Sequence, residues 1–304
     1  MPFPKFAALV TGLTLCGASL FGQTYNQKLV AQLDTILKDD QQYRQIKNAK
    51  PGADHENMRK QGLLDAANLI KAEKIIAHYG YPGKTLVGPK HQSTIFLVIQ
   101  HNETDVQEKY LPLLTQAADK GELRPGSLAI MVDRIKTGHD ELQVYGSQTH
   151  ETPDGVKLYP IIDEANVNQR RAKVGLGPLQ QYLIEWKINY KLPVAGKPNP
   201  NPASLYYVRP QHTEAAAIEA IGGDQAILSK LKYPEKARAA GITGFVTVEL
   251  TIDTNGRTKN LSVVKPLGYG CDEEALRVMT EARYTNPTGH ESDIRMRLPF
   301  PVKQ

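Results

Sequence analysis

Five short polar clusters in the first two-thirds of the chain carry side chains suited to acid–base chemistry. They are Asp40-Gln41 with Arg44, Gln100-His101, Asp133-Arg134, Gln143 with Tyr145 and Gln148, and Arg170-Arg171. A histidine held by a carboxylate can take a proton from water, and a nearby guanidinium can hold an anionic substrate. On that reading His101 is a general base oriented by Asp133, Arg134 or Arg44 holds the anion, and the region is a hydrolase-type enzyme. A second reading is architectural. Asp133, Arg134 and Arg44 would form a buried, hydrogen-bonded ion network that ties helices together, with His101 capping one of them. The residues alone leave both readings open. No His-Glu-x-x-His run, Cys-x-x-Cys pair, phosphate loop, nucleophile elbow or dinucleotide fingerprint occurs, so neither a metal nor a cofactor is expected.

The elements that must position these clusters are mostly helical. Leu29, Leu33, Ile36 and Leu37 recur at helical spacing. A second helix is predicted over 54–79, stopped by Gly80, with Pro82 two residues on. A third opens at Pro89, carries the all-apolar run Ile95 to Ile99, and ends at Gln100-His101-Asn102. A fourth, 105–120, contains Pro112 and should kink or divide there. A fifth, 127–136, carries Asp133-Arg134. The stretches 142–148 and 156–162 read as extended, with Thr152-Pro153-Asp154-Gly155 as a turn between them, which predicts a two-stranded ribbon on a helical body. Helix returns over 166–174 and 179–190, where Trp186 is the expected core anchor.

Charge and cysteine content narrow the function classes. The 304 residues suggest two domains, and the net charge of +5 is small. From Glu214 onward Lys+Arg and Asp+Glu balance at 12 each, and the upstream excess is spread out, so no basic face for nucleic acid is expected. Lys5 followed by the apolar and small residues 6–22 reads as a secretory leader, too short for an ordinary membrane span. Three fates are open to it: cleavage after Ala18 or Gly22, retention as an anchor, or lipidation at Cys16. Membrane attachment is expected only in the last two. Loss of the leader leaves Cys271 as the single thiol, and no intramolecular disulfide can then form. The domain plan is therefore a leader at 1–22, a helical domain at 24–192, a Pro/Asn-rich linker at 193–213 and a second domain at 214–304.

The second domain carries the most specific pattern. Tyr233-Pro234 opens a short helix that Gly241 stops. Val246, Val248, Leu250 and Ile252 alternate with polar residues as a half-buried strand, and Asn255-Gly256 makes a hairpin turn. Leu261 and Val263 lie on the core face of the returning strand. Asp272, Glu273 and Glu274 favour a helix N-terminus, and Leu276 and Met279 give that helix an apolar stripe. Ile294, Met296, Leu298, Phe300 and Val302 alternate to the end. The order predicts a three-stranded antiparallel sheet packed with helices on one face, and an α+β protein as a whole.

Two resemblances follow from these residues. Asp-Gln-x-x-Arg, Gln-His, Asp-Arg, Gln-x-Tyr-Gly-x-Gln and Arg-Arg-x-x-x-Gly-Leu together resemble an uncharacterised bacterial family of unknown function over residues 30–185. Tyr-Pro-x-x-Ala-Arg-x-x-Gly-Ile-x-Gly, Ile-Asp-x-x-Gly-Arg, Gly-x-Gly-Cys-Asp-Glu-Glu-Ala-Leu-Arg-Val and Leu-Pro-Phe-Pro-Val resemble the C-terminal domain of the TonB energy-transducer family over 220–304. The second resemblance implies a periplasmic module that binds outer-membrane receptors or other envelope proteins by strand pairing. It also implies a cell-envelope location in a Gram-negative bacterium, and a full energy transducer for transport if the leader is a retained anchor. The long Pro-rich arm of a transducer is missing, and Tyr284-Thr285-Asn286-Pro287 departs from the family's loop before the last strand. The resemblance also favours a buried, small-residue role for Cys271.

The last strand carries one inference of its own. Pro299 and Pro301 lack amide donors on one side of the strand, and proline belongs on a free sheet edge. The amides of Arg295 and Arg297 should then face outward, so the partner-binding edge is predicted at Asp293, Ile294, Arg295, Met296, Arg297 and Leu298. The alternative is that the prolines only guard the edge against aggregation.

Overall fold

A computed structural model describes residues 24–44, 53–208 and 218–302. The leader with Cys16 and the linker's end at 209–217 lie outside the described residues. The first unit is helical. It comprises α1 (Gln27–Gln41), α2 (Ala53–Tyr79), α3 (Lys84–His91), α4 (Thr94–Gln100), α5 (Thr104–Asp119) and α6 (Pro125–Gly138). Leu29, Leu33, Ile36, Ile75, Ile95, Ile99, Leu114 and Met131 fill its core. The stop at Gly80 is as expected: the residue sits at φ +68° and its N–H reaches the Ile76 carbonyl at 2.8 Å.

Two helices differ from the sequence expectation. The segment around Pro89 is broken into α3 and α4, with Gly88 at φ +82° against the Tyr25 ring, where any Cβ would fall 2.8 Å from a ring carbon. Pro112 does not divide α5, which runs unbroken from Thr104 to Asp119. Pro112 and Glu108 are both exposed, so water can take the carbonyl that the proline leaves without a donor.

After α6 the chain forms a hairpin, β1 (Thr149–Thr152) and β2 (Gly155–Leu158), turned through Pro153-Asp154. The ribbon exists, but 142–148 is not its first strand; that stretch is a loop wound around Asp133. Next come α7 (Val167–Lys173) and α8 (Leu179–Ile184). Leu158, Val167, Leu179, Leu183 and Tyr190 build a small core beneath the ribbon. Trp186 is not its anchor: it is 38% exposed, because α8 ends at Ile184, two residues before it.

The C-terminal unit contains β3 (Glu219–Ala220), α9 (Gly223–Leu228), α10 (Glu235–Ala240), β4 (Gly244–Ile252), β5 (Thr258–Lys265), α11 (Cys271–Glu281), β6 (Tyr284–Thr285) and β7 (Ser292–Phe300). Its main sheet is antiparallel in the order β5-β4-β7. Val246, Val248, Leu250 and Ile252 are buried on one face with Cys271, Ala275, Val278 and Met279 of α11. Burial pushes the Cys271 thiol up to about 12, with the Asp272 and Glu273 charges adding to it, so the residue is inert core. Gly256 is fixed at φ +73°, and a Cβ there would fall 1.8 Å from the Tyr284 carbonyl oxygen. The altered loop has a use: β6 pairs with β3 beside the main sheet.

The two units also touch. Ala66 and Ile70 of α2 pack against the C-terminal core, and Gly62 meets Pro266 so closely that an added Cβ would lie 2.5 Å from the ring.

Candidate functional site

The polar clusters converge at one end of the helical unit, in two arrangements. The first is built on Asp133, which is fully buried. Its carboxylate accepts the amides of Val144 (2.6 Å), Tyr145 (2.9 Å) and Ser147 (2.9 Å), and the Ser147 hydroxyl (2.9 Å). Gln143 closes the same loop by accepting the Gln148 amide at 2.9 Å. Gly146, at φ +68°, turns the chain against Ile161 and Leu179. Arg170 and Arg171 clamp the loop from outside, donating to the Val144 carbonyl at 2.9 Å and the Tyr145 carbonyl at 2.7 Å. The Gln-x-Tyr-Gly-x-Gln and Arg-Arg motifs therefore form one hydrogen-bonded scaffold around a buried carboxylate.

The second arrangement holds His101. Its Nδ1 lies 2.8 Å from Asp40 Oδ1, so the carboxylate on the histidine is Asp40 and not Asp133. The sequence expectation is corrected there because all of Asp133's acceptor positions are taken by the 144–147 loop. Arg44, one helical turn after Asp40, donates from Nε to the Asp40 carbonyl at 2.8 Å and from Nη2 to Asp65 at 2.6 Å. Gln61 joins Asp65 at 2.8 Å. Burial raises the Asp40 carboxyl, but the His101 hydrogen bond and charge outweigh it, with help from Gln41 and Arg44, and hold it below its ordinary value. Asp65 is raised by burial in spite of Gln61 and Arg44. His101 also ends α4, its N–H donating to the Leu97 carbonyl at 3.0 Å.

Two clefts open beside these groups. One, of about 430 Å³, is polar and is lined by Arg44, Gln100, His101, Gln107, Arg134 and Gln148 among others. The other, of about 410 Å³, has Phe96, Leu97, Ile130, Leu176 and Tyr182 in its wall. Gln100, Arg134 and Gln148 line both, so the two are halves of one groove. The groove thus gathers His101, Arg44 and Arg134 and excludes Asp133 from the surface. Among the described residues no group of three or more His, Cys, Asp or Glu side chains is gathered as metal ligands.

Sequence reasoning missed Asp40 as the histidine's partner, although its place in Asp-Gln-x-x-Arg marked it as a helix-end acid. It also missed Gln107, whose amide donates to the Gln100 and Asn102 carbonyls at 3.1 and 2.7 Å; nothing in its sequence surroundings marks it.

In the C-terminal unit the predicted edge residues all lie on β7, which among the described residues pairs with β4 alone. The register sets Phe245 opposite Pro299 and Val246 opposite Leu298. Pro299 cannot donate, so the Phe245 pair is non-bonded, and Leu298, Met296 and Ile294 supply the ladder bonds. The amides of Asp293, Arg295 and Arg297 consequently point away from β4. Arg295 pairs with Glu249 at 3.0 Å, and the Arg297 guanidinium lies 4.1 Å over the Phe245 ring and 3.5 Å from Asp105. Lys265 of β5 forms an ion pair with Glu103.

Residues 25–195, more than half of the chain, match the model described as Family of unknown function (DUF6624), and the chain belongs to that family. Residues 229–303 match the Gram-negative bacterial TonB protein C-terminal. No curated protein matches the chain. The C-terminal unit is thus a TonB-like module joined to a helical domain whose family is of unknown function. No helix among the described residues is long and apolar enough to cross a membrane.

Proposed function

We propose that this is an exported cell-envelope protein whose TonB-like module binds an outer-membrane receptor or other envelope protein by adding a strand to β7. The observation that carries the reading is the open edge at 293–298, where alternate amides face away from β4. Main-chain donors give such an edge its affinity, and the alternating side chains give it selectivity. Affinity capture from envelope fractions with the full chain, compared with Arg295→Pro and Arg297→Pro, tests it. Recovery of the same outer-membrane protein by wild type and loss with the proline variants is the expected result. Equal recovery by all three sinks edge pairing. N-terminal sequencing of the exported protein tests the location: a chain starting near residue 19 or 23 has no motor link, whereas an intact leader restores the transducer reading.

A second reading, hydrolytic acid–base chemistry in the helical domain, is supported by the His101–Asp40 pair on the wall of the groove. With Nδ1 tied to a carboxylate, Nε2 is the nitrogen left to take a proton. Turnover of ester or amide substrates by wild type that vanishes in His101→Gln is the expected result. Turnover that persists in His101→Gln rejects the histidine's role.

A further inference from the structure

The groove contains two polar atoms that the protein leaves unanswered. The Arg134 Nε is buried without a hydrogen-bond partner, and no carboxylate among the described residues pairs with this guanidinium. The other charges nearby are balanced: Arg44 by Asp65, His101 by Asp40, Glu103 by Lys265. Arg171 is taken up by the Gly177 and Tyr145 carbonyls. Burial pushes Arg134 below its ordinary value; Tyr182 opposes this and the Arg44 charge adds to it. An uncompensated guanidinium in a half-buried groove is costly unless something supplies the counter-charge.

The second unanswered atom is Gln107 Oε1, also buried and unpartnered, on a side chain only 3% exposed. Its orientation is not arbitrary, because its Nε2 is needed by two carbonyls, those of Gln100 and Asn102. Gln107 lines the polar half of the groove. A groove with a free cation at its junction, a free acceptor in its polar half and an apolar wall in its other half selects for three features at once.

We propose that the groove binds a small organic anion whose carboxylate pairs with Arg134, whose neutral N–H donates to Gln107 Oε1, and whose apolar side chain lies against Phe96, Leu97 and Ile130. An N-acylated apolar α-amino acid has this chemistry, whether it is a free acyl amino acid or the carboxyl end of a short peptide. A charged amino group is disfavoured in the donor position because Arg44 and Arg134 both line that half. The proposal concerns binding, and stands whether or not His101 performs chemistry.

Calorimetric titration of the full chain with four probes tests it. N-acetyl-leucine has all three features, N-acetyl-leucinamide lacks the charge, N-acetylglycine lacks the apolar group and 4-methylpentanoate lacks the N–H. N-acetyl-leucine should bind at least about tenfold tighter than each of the others, the scale of one lost charged or buried contact. That advantage over the amide should vanish in Arg134→Gln. Equal affinities for acid and amide, an advantage that survives Arg134→Gln, or no heat from any probe at millimolar concentration each overturns it. Should Arg134→Gln fail to fold, the wild-type preference for acid over amide still decides. A dipeptide such as Gly-Leu and its acetylated form separate the two sources: tighter binding of acetyl-Gly-Leu than of N-acetyl-leucine favours a peptide end, and the reverse a free acyl amino acid.

Discussion

The groove in the helical unit and the free edge of the C-terminal sheet both leave hydrogen-bonding groups without a protein partner. They differ in what water can do about it. The outward amides of β7 lie on an exposed strand, where solvent satisfies them at almost no cost. The Arg134 Nε and Gln107 Oε1 are buried, so each lowers stability until a ligand or an ordered water answers it. An exposed edge is compatible with binding but does not demand it, whereas a buried mismatch asks for a partner. The contrast is sharpest inside α6, where consecutive residues meet opposite fates: Asp133 is saturated by donors and Arg134 by none.

Three measurements can break or sharpen that comparison. The largest effect is expected at Asp133. Asp133→Asn replaces one acceptor oxygen with an amide facing backbone N–H groups and should cost about 3 kcal/mol in urea denaturation. A neutral result would remove the saturated side of the contrast. The next effect distinguishes the two sides of β7. Met296→Pro deletes an inward ladder bond and should cost about 2 kcal/mol, while Arg297→Pro, with its amide already outward, should cost no more than about 1 kcal/mol, the loss of its exposed contacts with Phe245 and Asp105. Equal losses would mean that the register leaves no free donors.

The smallest effect is a pH dependence. Asp40 is held below its ordinary value of 3.8 in the folded protein. The stability it contributes is therefore complete above that value and is lost as pH falls through the lower, folded one. Thermal melts between about pH 5 and pH 2 should show an acid limb that shrinks in Asp40→Asn. An unchanged limb would place the acid sensitivity elsewhere.

Much of this architecture was legible in the residues. Gly80 and Gly241 stop helices because a left-handed residue ends a helix wherever it lies. The β4 alternation and the Asn255-Gly256 turn depend on neighbours a few positions away, and prolines mark an edge in any sheet. The family motifs likewise survive as local strings. What the residues could not reveal was which carboxylate meets which histidine. Asp40 and Asp133 are both acids at the right distance in sequence for many folds. Only packing gave Asp133 to the 144–147 loop and brought Asp40, across 61 residues, to His101. The loop at 142–148 looked extended for the same reason: backbone alternation is local, but a buried carboxylate that gathers three amides is not. Trp186 is large and apolar, yet the end of α8 decided its exposure. Sequence by itself determined most of the helices, the β4–β5 hairpin and the order of the modules, because these follow from short-range stereochemistry. The tertiary structure alone decided that Arg134 is left without a partner, because pairing is a property of what packs around a charge.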